Sequence, residues 1–169
     1  MKVYGVTGWK NAGKTGLVER LVTEITGRGL TVSTVKHAHH TFDVDQPGKD
    51  SFRHRAAGAG QVLLVSRARW ALMTELRDVP EPPLEALLAR LDPVDLVLVE
   101  GFKRDRHPKI EAHRAETRHP LIAPEDPSIR AIASDSPATF TEDLGDRPVF
   151  DLNATATIAD FILGETGLT

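Results

Sequence analysis

Residues 8–15 read Gly8-Trp9-Lys10-Asn11-Ala12-Gly13-Lys14-Thr15 and satisfy the pattern G-x-x-x-x-G-K-[ST] at each of its fixed positions. The flanks give the match its meaning. Before it, Val3-Tyr4-Gly5-Val6 is an apolar run of the length of a buried strand. After it, Leu17, Val18, Leu21, Val22 and Ile25 recur at helical spacing, with Glu19, Arg20, Thr23 and Glu24 on the other side. The motif therefore stands between a strand and a helix, where a phosphate-binding loop has to stand. Gly8 and Gly13 let the backbone curl so that successive N–H groups point at phosphate oxygens, and the opening helix adds the positive end of its dipole. On this reading Gly8, Trp9, Lys10, Asn11, Ala12, Gly13, Lys14, Thr15 and Gly16 surround the phosphates. Lys14 reaches the terminal ones, and the Thr15 hydroxyl ligates magnesium. Lys10 reads more simply as an exposed lysine. The loop lacks the double glycine and second placed lysine of deviant Walker loops, so their dimer chemistry is not inferred.

A chain of 169 residues, 40% of them hydrophobic, is of the size of one domain with its own core. A net charge of −3 argues against generic nucleic-acid binding, which needs a basic face. With no cysteine there are no disulfides and no thiolate metal sites. No apolar run is long enough to span a bilayer, and the first strand starts almost at once, so no signal peptide is expected and the cytoplasm is the default location.

Outward from the loop, the first helix should stop near Gly27 or Gly29, and Leu30 to Val35 reads as a second strand. A strand–helix–strand unit of this length implies parallel pairing with a right-handed crossover. In such sheets ligands sit at the carboxyl ends of the strands, so the polar segment that follows belongs near the nucleotide. It runs Lys36-His37-Ala38-His39-His40-Thr41-Phe42-Asp43-Val44-Asp45-Gln46-Pro47-Gly48-Lys49-Asp50. His37 with His39 or His40 offers donors for a divalent ion together with Asp43 or Asp45, but the spacing is not that of a closed zinc set. A switch or substrate loop is the better reading.

Ser51 to Ala59 reads as a short helix. Gln61–Val65 and Trp70–Thr74 read as two strands of a hairpin with apolar groups on both faces, either core or a dimer surface. Pro83 suits the first turn of a helix whose stripe is Leu84, Leu87, Leu88 and Leu91. Val94 to Gly101 is then an apolar strand ending in Glu100, the form of a Walker B element, placing a carboxylate beside the phosphate loop to serve magnesium or the attacking water. Asp95, at the other end of that strand, reads as structural. From Phe102 to His119 positive residues crowd together: Lys103, Arg104, Arg106, Lys109, Arg114 and Arg118, a patch for an anionic ligand or a partner, or a solvated loop. Short strands are expected at Lys109–Ala112, Ile129–Ala133 and Pro148–Phe150, and Asn153 is placed to cap a final helix carrying Ile158, Phe161 and Ile162 inward. Together these elements predict one α/β domain over residues 1–169. It is of the P-loop NTPase kind, a mostly parallel central sheet flanked by helices, with a β-hairpin extension over residues 61–75.

Several stretches, taken with the loop, resemble the MobB-type molybdopterin-guanine dinucleotide biosynthesis adaptor proteins. They are Val35-Lys36-His37-x-His39-His40, Phe42-Asp43-x-Asp45-x-x-Gly48-Lys49-Asp50-Ser51, Ala57-Gly58-Ala59, Leu98-Val99-Glu100-Gly101-Phe102-Lys103 and Pro108-Lys109-Ile110-Glu111. They cover most of the first two thirds of the chain. The resemblance implies GTP binding with slow hydrolysis, a magnesium ion served by Thr15 and Glu100, and a homodimer, which favours the interface reading of the hairpin. It implies a role beside the guanylyltransferase that joins a guanine nucleotide to the molybdenum-bearing pterin. The His37 to Ser51 segment would then face the nucleotide or the molybdopterin cofactor, and the basic stretch after Gly101 would take the pterin phosphate or the partner enzyme.

The chain departs from common guanine readers in lacking Asn-Lys-x-Asp, which leaves Asp135, at a strand end, as the candidate acceptor for the guanine edge. No conventional arginine finger is identifiable, in keeping with slow turnover. Three other functions are compatible with the same loop: a small-molecule kinase using Arg53, Arg55 and Asp43, a scaffold that binds nucleotide without turnover, and a metal-delivery GTPase, against which the missing cysteines count.

Overall fold

The computed structural model describes residues 1–38, 42–137 and 144–169. These fall into two compact units, residues 1–37 with 87–169, and residues 38–86.

The larger unit is built on a six-stranded sheet: β1 (Lys2–Thr7), β2 (Val32–Lys36), β5 (Leu96–Glu100), β6 (Lys109–His113), β7 (Ile129–Ser134) and β8 (Val149–Asp151). Their order is β2-β5-β1-β6-β7-β8 and every neighbouring pair is parallel. The expected pairing of β1 with β2 is corrected here. The two are parallel, but β5 lies between them. The reason is in the side chains. Leu96, Val97, Leu98 and Val99 are all fully buried, so β5 is apolar on both faces and belongs inside the sheet, whereas Val-Ser-Thr-Val-Lys of β2 suits an edge.

The helices α1 (Lys14–Gly27) and α4 (Thr155–Thr166) bury Leu17, Leu21, Ile25, Ile158 and Ile162 against Tyr4, Val6, Leu98 and Ala131. Arg28, at the end of α1, donates to Glu24 and to Asp160 of α4. Gly29 ends α1 at φ +88°. Its N–H bonds to Thr26 O, and that of Leu30 bonds to Ile25 O, which closes the last turn. Ile132 faces the other side, in a second cluster with Leu121, Ala123, Ile129 and Leu144. Asp95 is structural as expected: its carboxylate accepts the Thr31 N–H and hydroxyl at 2.7 Å each, and the Thr31 side-chain bond leads in holding its carboxyl below the usual range.

Two further expectations are corrected. Asn153 does not cap α4 with its side chain. The Asp151 carboxylate takes the Asn153 N–H at 2.7 Å, and the Thr155 N–H goes to the Asn153 carbonyl at 2.8 Å. Lys109 is not part of a surface patch. It is fully buried, and its Nζ donates to Asp126 Oδ2 (3.0 Å), Ser128 Oγ (2.7 Å) and the Lys103 carbonyl (3.3 Å). Glu111, two residues on, is buried too, accepting the N–H groups of Ile122 and Ala123. The strand turns these charges inward, and each meets a partner.

The smaller unit holds α2 (Asp50–Ala56), the antiparallel hairpin of β3 (Gln61–Val65) and β4 (Trp70–Thr74), and the start of α3 (Leu84–Leu88), which stops short of Leu91. Its polar centre is Arg55, which donates to Asp43, Asp45 and Glu75. Register puts Leu63, Val65, Trp70 and Leu72 on one face of the hairpin, and all four are between 44% and 66% exposed. Among the described residues, no helix is long and apolar enough to cross a membrane.

Candidate functional site

The site forms at the carboxyl ends of β1, β2 and β5, where register brings Val6, Lys36 and Glu100 side by side. The chain leaves β1 through Gly8 at φ +135°, where a side chain would collide with the Ala112 carbonyl oxygen, so only glycine fits between the loop and β6. Asn11 also takes a positive φ, of 65°, and the Ala12 N–H closes a turn on the Trp9 carbonyl at 3.2 Å. Gly13 is the N-cap of α1. A side chain there would press on Leu152 and on the Arg114 guanidinium, so a cation from beyond β6 stands against the loop. Gly16 lies in the first turn of α1, and Lys10 is exposed.

Lys14 Nζ donates to the Trp9 carbonyl of its own loop at 2.6 Å. Burial lowers its pKa, Lys103 lowers it further, Glu100 opposes and Lys36 adds to the depression. Lys103 and Lys36 thus both add positive charge around Lys14, a concentration that favours an anion with several negative oxygens. Lys103 itself is lowered by burial, with Glu111 opposing, and its Nζ stands 4.1 Å over the Trp9 ring. The Trp9 indole N–H donates to Pro120 O at 2.7 Å, and the ring stacks on His119 with centroids 5.0 Å apart.

Thr15 Oγ1 donates to Glu100 Oε1 at 2.9 Å, and the Glu100 side chain is almost fully buried. A hydroxyl and a carboxylate converging beside a phosphate loop are the protein ligands a magnesium ion takes in this setting, with phosphates and water completing its shell. The donor set fits. Lys36 was quoted above only as part of a stretch, yet it belongs to this group, 3.1 Å from both oxygens. The signal was its position. The strand runs one residue past Val35 and ends on Lys36 rather than before it.

The other candidates are distributed. The backbone N–H of His37 bonds to the Glu100 carbonyl, and its ring meets Phe102 at 4.9 Å. His39 and His40 lie outside the described residues. Asp43 and Asp45 are engaged with Arg55, and Asp50 begins α2 with a 3.9 Å ion pair to Arg53. Among the described residues no group of three or more His, Asp or Glu is placed to hold a metal. Asp135 follows β7, exposed, with Oδ1 accepting the Ala115 N–H at 3.0 Å.

The sequence pattern of the family MobB, molybdopterin guanine dinucleotide synthesis protein B, matches residues 3–135. The chain is 44% identical over 164 residues to the molybdopterin-guanine dinucleotide biosynthesis adapter protein of Haemophilus influenzae, covering 95% of this chain and 86% of that one. It is 40% identical over 158 residues to the adapter protein of the same name from Escherichia coli, covering 92% and 87%. The crystal structure of Bacillus subtilis MobB superposes with a TM-score of 0.73 at 26% identity, covering 98% of each chain.

Proposed function

The chain belongs to the MobB family, and from that premise we propose that it serves molybdopterin guanine dinucleotide biosynthesis as an adapter that binds GTP and magnesium. The observation that carries the nucleotide part is the Thr15–Glu100 pair at 2.9 Å beside a loop whose Lys14, among the described residues, is held by its own backbone. A lysine parked on a loop carbonyl is free to move to a phosphate without breaking an ion pair. Lys14 and the loop N–H groups from Gly8 to Gly16 hold the phosphates, and Thr15 and Glu100 hold the metal. Asp135 accepts from the guanine edge.

Hydrolysis is slow, and the useful product is a nucleotide-dependent complex with the guanylyltransferase and its molybdopterin substrate. Lys103 and Arg114 supply the surface for pterin phosphate or partner. The protein works as a homodimer through the open face of the β3–β4 hairpin. The kinase reading draws less support, because Arg55 is committed to three carboxylates rather than held ready for a phosphate.

Competition of GTP, ATP and molybdopterin for the purified protein, with and without magnesium, tests the proposal. Lys14→Ala is expected to weaken GTP about 10- to 100-fold, the loss of a charge-assisted hydrogen bond. Asp135→Ala should weaken GTP more than ATP; equal weakening removes Asp135 from guanine recognition. Phosphorylated pterin or another phosphorylated acceptor as the product would favour a kinase instead.

A further inference from the structure

Lys36, Thr15 and Glu100 form a closed triangle. Lys36 Nζ lies 3.1 Å from Thr15 Oγ1 and 3.1 Å from Glu100 Oε1, and those two oxygens are 2.9 Å apart. Its protons can be assigned. An ammonium only donates and a carboxylate only accepts, so the Thr15 hydroxyl gives its single proton to Glu100 and turns a lone pair to Lys36. A magnesium ion would draw on the same hydroxyl oxygen, and Glu100 Oε1 is shared in the same way. We propose that Lys36 is a built-in cation that holds Thr15 and Glu100 in their metal-binding pose, and that a divalent ion entering with the nucleotide must displace it. The inference rests on the nucleotide-and-magnesium reading of this site.

Three observations carry it. The two cations exclude each other: an ion bound about 2.1 Å from these oxygens stands within about 4 Å of Nζ, where like charges repel strongly. The partner that moves is also evident, since the Lys36 side chain is 56% exposed and that of Glu100 is 10% exposed. Lys36 ends an edge strand on a flexible four-carbon stem, whereas Glu100 ends an interior strand flanked on both sides. Finally, the released ammonium has somewhere to go. Lys36 already weighs on Lys14, so its charge is within range of the phosphates that Lys14 would bind. Metal-free protein thus keeps its site folded yet closed to stray divalent ions, and metal loads with the anion that recruits Lys36 away.

Manganese titration of the whole chain without nucleotide, with free Mn2+ counted by electron paramagnetic resonance, tests this. Lys36→Met and Lys36→Gln should bind Mn2+ at least about tenfold more tightly than wild type, because the competing charge is gone. Lys36→Arg should stay as weak as wild type, and Lys36→Met combined with Glu100→Gln should lose the gain. The thermal midpoint of Lys36→Met should rise with MnCl2 while that of wild type stays flat. Equal Mn2+ affinity in wild type and the two neutral variants, or no binding in any of them, overturns the inference. A parallel titration of wild type and Lys14→Ala with a fluorescent GTP analogue separates the two claims. If wild type fails to bind it, the nucleotide reading falls. If wild type binds it and Lys36→Met shows no Mn2+ gain, only the role of Lys36 falls.

Discussion

Replacing Lys109 by methionine separates two readings of the basic stretch after Gly101. A surface lysine that binds an anion would, when lost, weaken ligand and leave stability alone. The structure requires the reverse. Methionine fills the volume of the stem but strips Asp126, Ser128 Oγ and the Lys103 carbonyl of a shared donor, with Lys109 itself fully buried. Breaking one side of a buried pair costs about 3–5 kcal/mol. Asp126 keeps 21% of its side chain exposed, which sets the loss near the lower end, about 3 kcal/mol. For a chain of this length that is a fall in thermal midpoint of about 6–12 °C. Adding Asp126→Asn removes the stranded charge and should bring stability back to within about 1 kcal/mol of wild type. The pH dependence has a definite sign. Burial pushes the Asp126 carboxyl up, but bonds from Ser128 and Lys109 outweigh it and hold the group below its ordinary value. Its stabilisation is therefore complete above a pH of about 4 and is lost as pH falls through the lower folded value, so the gap between wild type and Lys109→Met should narrow in acid. Differential scanning calorimetry at neutral and acid pH measures this. An unchanged midpoint with weakened GTP binding would refute the reasoning.

Gly8→Ala should destabilise the fold by at least about 3 kcal/mol and abolish nucleotide binding, since it adds a positive-φ penalty to a collision with the Ala112 carbonyl; thermal melts and equilibrium dialysis check both. Tyr4 is the one tyrosine, and burial, with Glu165 second, pushes its phenol well above the usual range. Absorbance at alkaline pH should show no phenolate at a pH of about 10 in folded protein, and stability should fall as pH rises beyond that value, because only the unfolded chain ionises there. Tyr4→Phe should be neutral or stabilising by up to about 1 kcal/mol, because the hydroxyl has no hydrogen-bond partner among the described residues. Leu63→Lys with Leu72→Lys, on the open hairpin face, should abolish the proposed dimer in sedimentation with nucleotide affinity per chain unchanged.

Features set by neighbours in sequence were legible. The loop stands between strand and helix because Gly8, Gly13 and the helical stripe from Leu17 specify it locally, and the hairpin bounds at Gln61–Val65 and Trp70–Thr74 follow from two short apolar runs around a polar turn. Glu100 was legible as the polar end of an apolar strand, and the structure puts it on Thr15. Features set by distant partners were not. Lys109 reads as a surface charge because its partners Asp126 and Ser128 lie 17 and 19 residues away. The insertion of β5 between β1 and β2 depends on which strand is apolar on both faces, a comparison between segments rather than within one. Asn153 reads as a cap, but the helix starts one residue later, with Ala154 at its N-cap.

The chain's two tryptophans stand in opposite settings. Trp9 is pinned by Pro120, stacked on His119 and capped by an ammonium. Trp70 is 63% exposed on the hairpin. Their emission should differ in colour and in quenching by iodide, so one fluorescence spectrum can report separately on two events. Motion of Lys103 or of the loop would alter the shielded indole, and self-association through the hairpin would shield the open one. With Trp9→Phe and Trp70→Phe as single-reporter controls, the unlabelled protein is its own two-channel sensor.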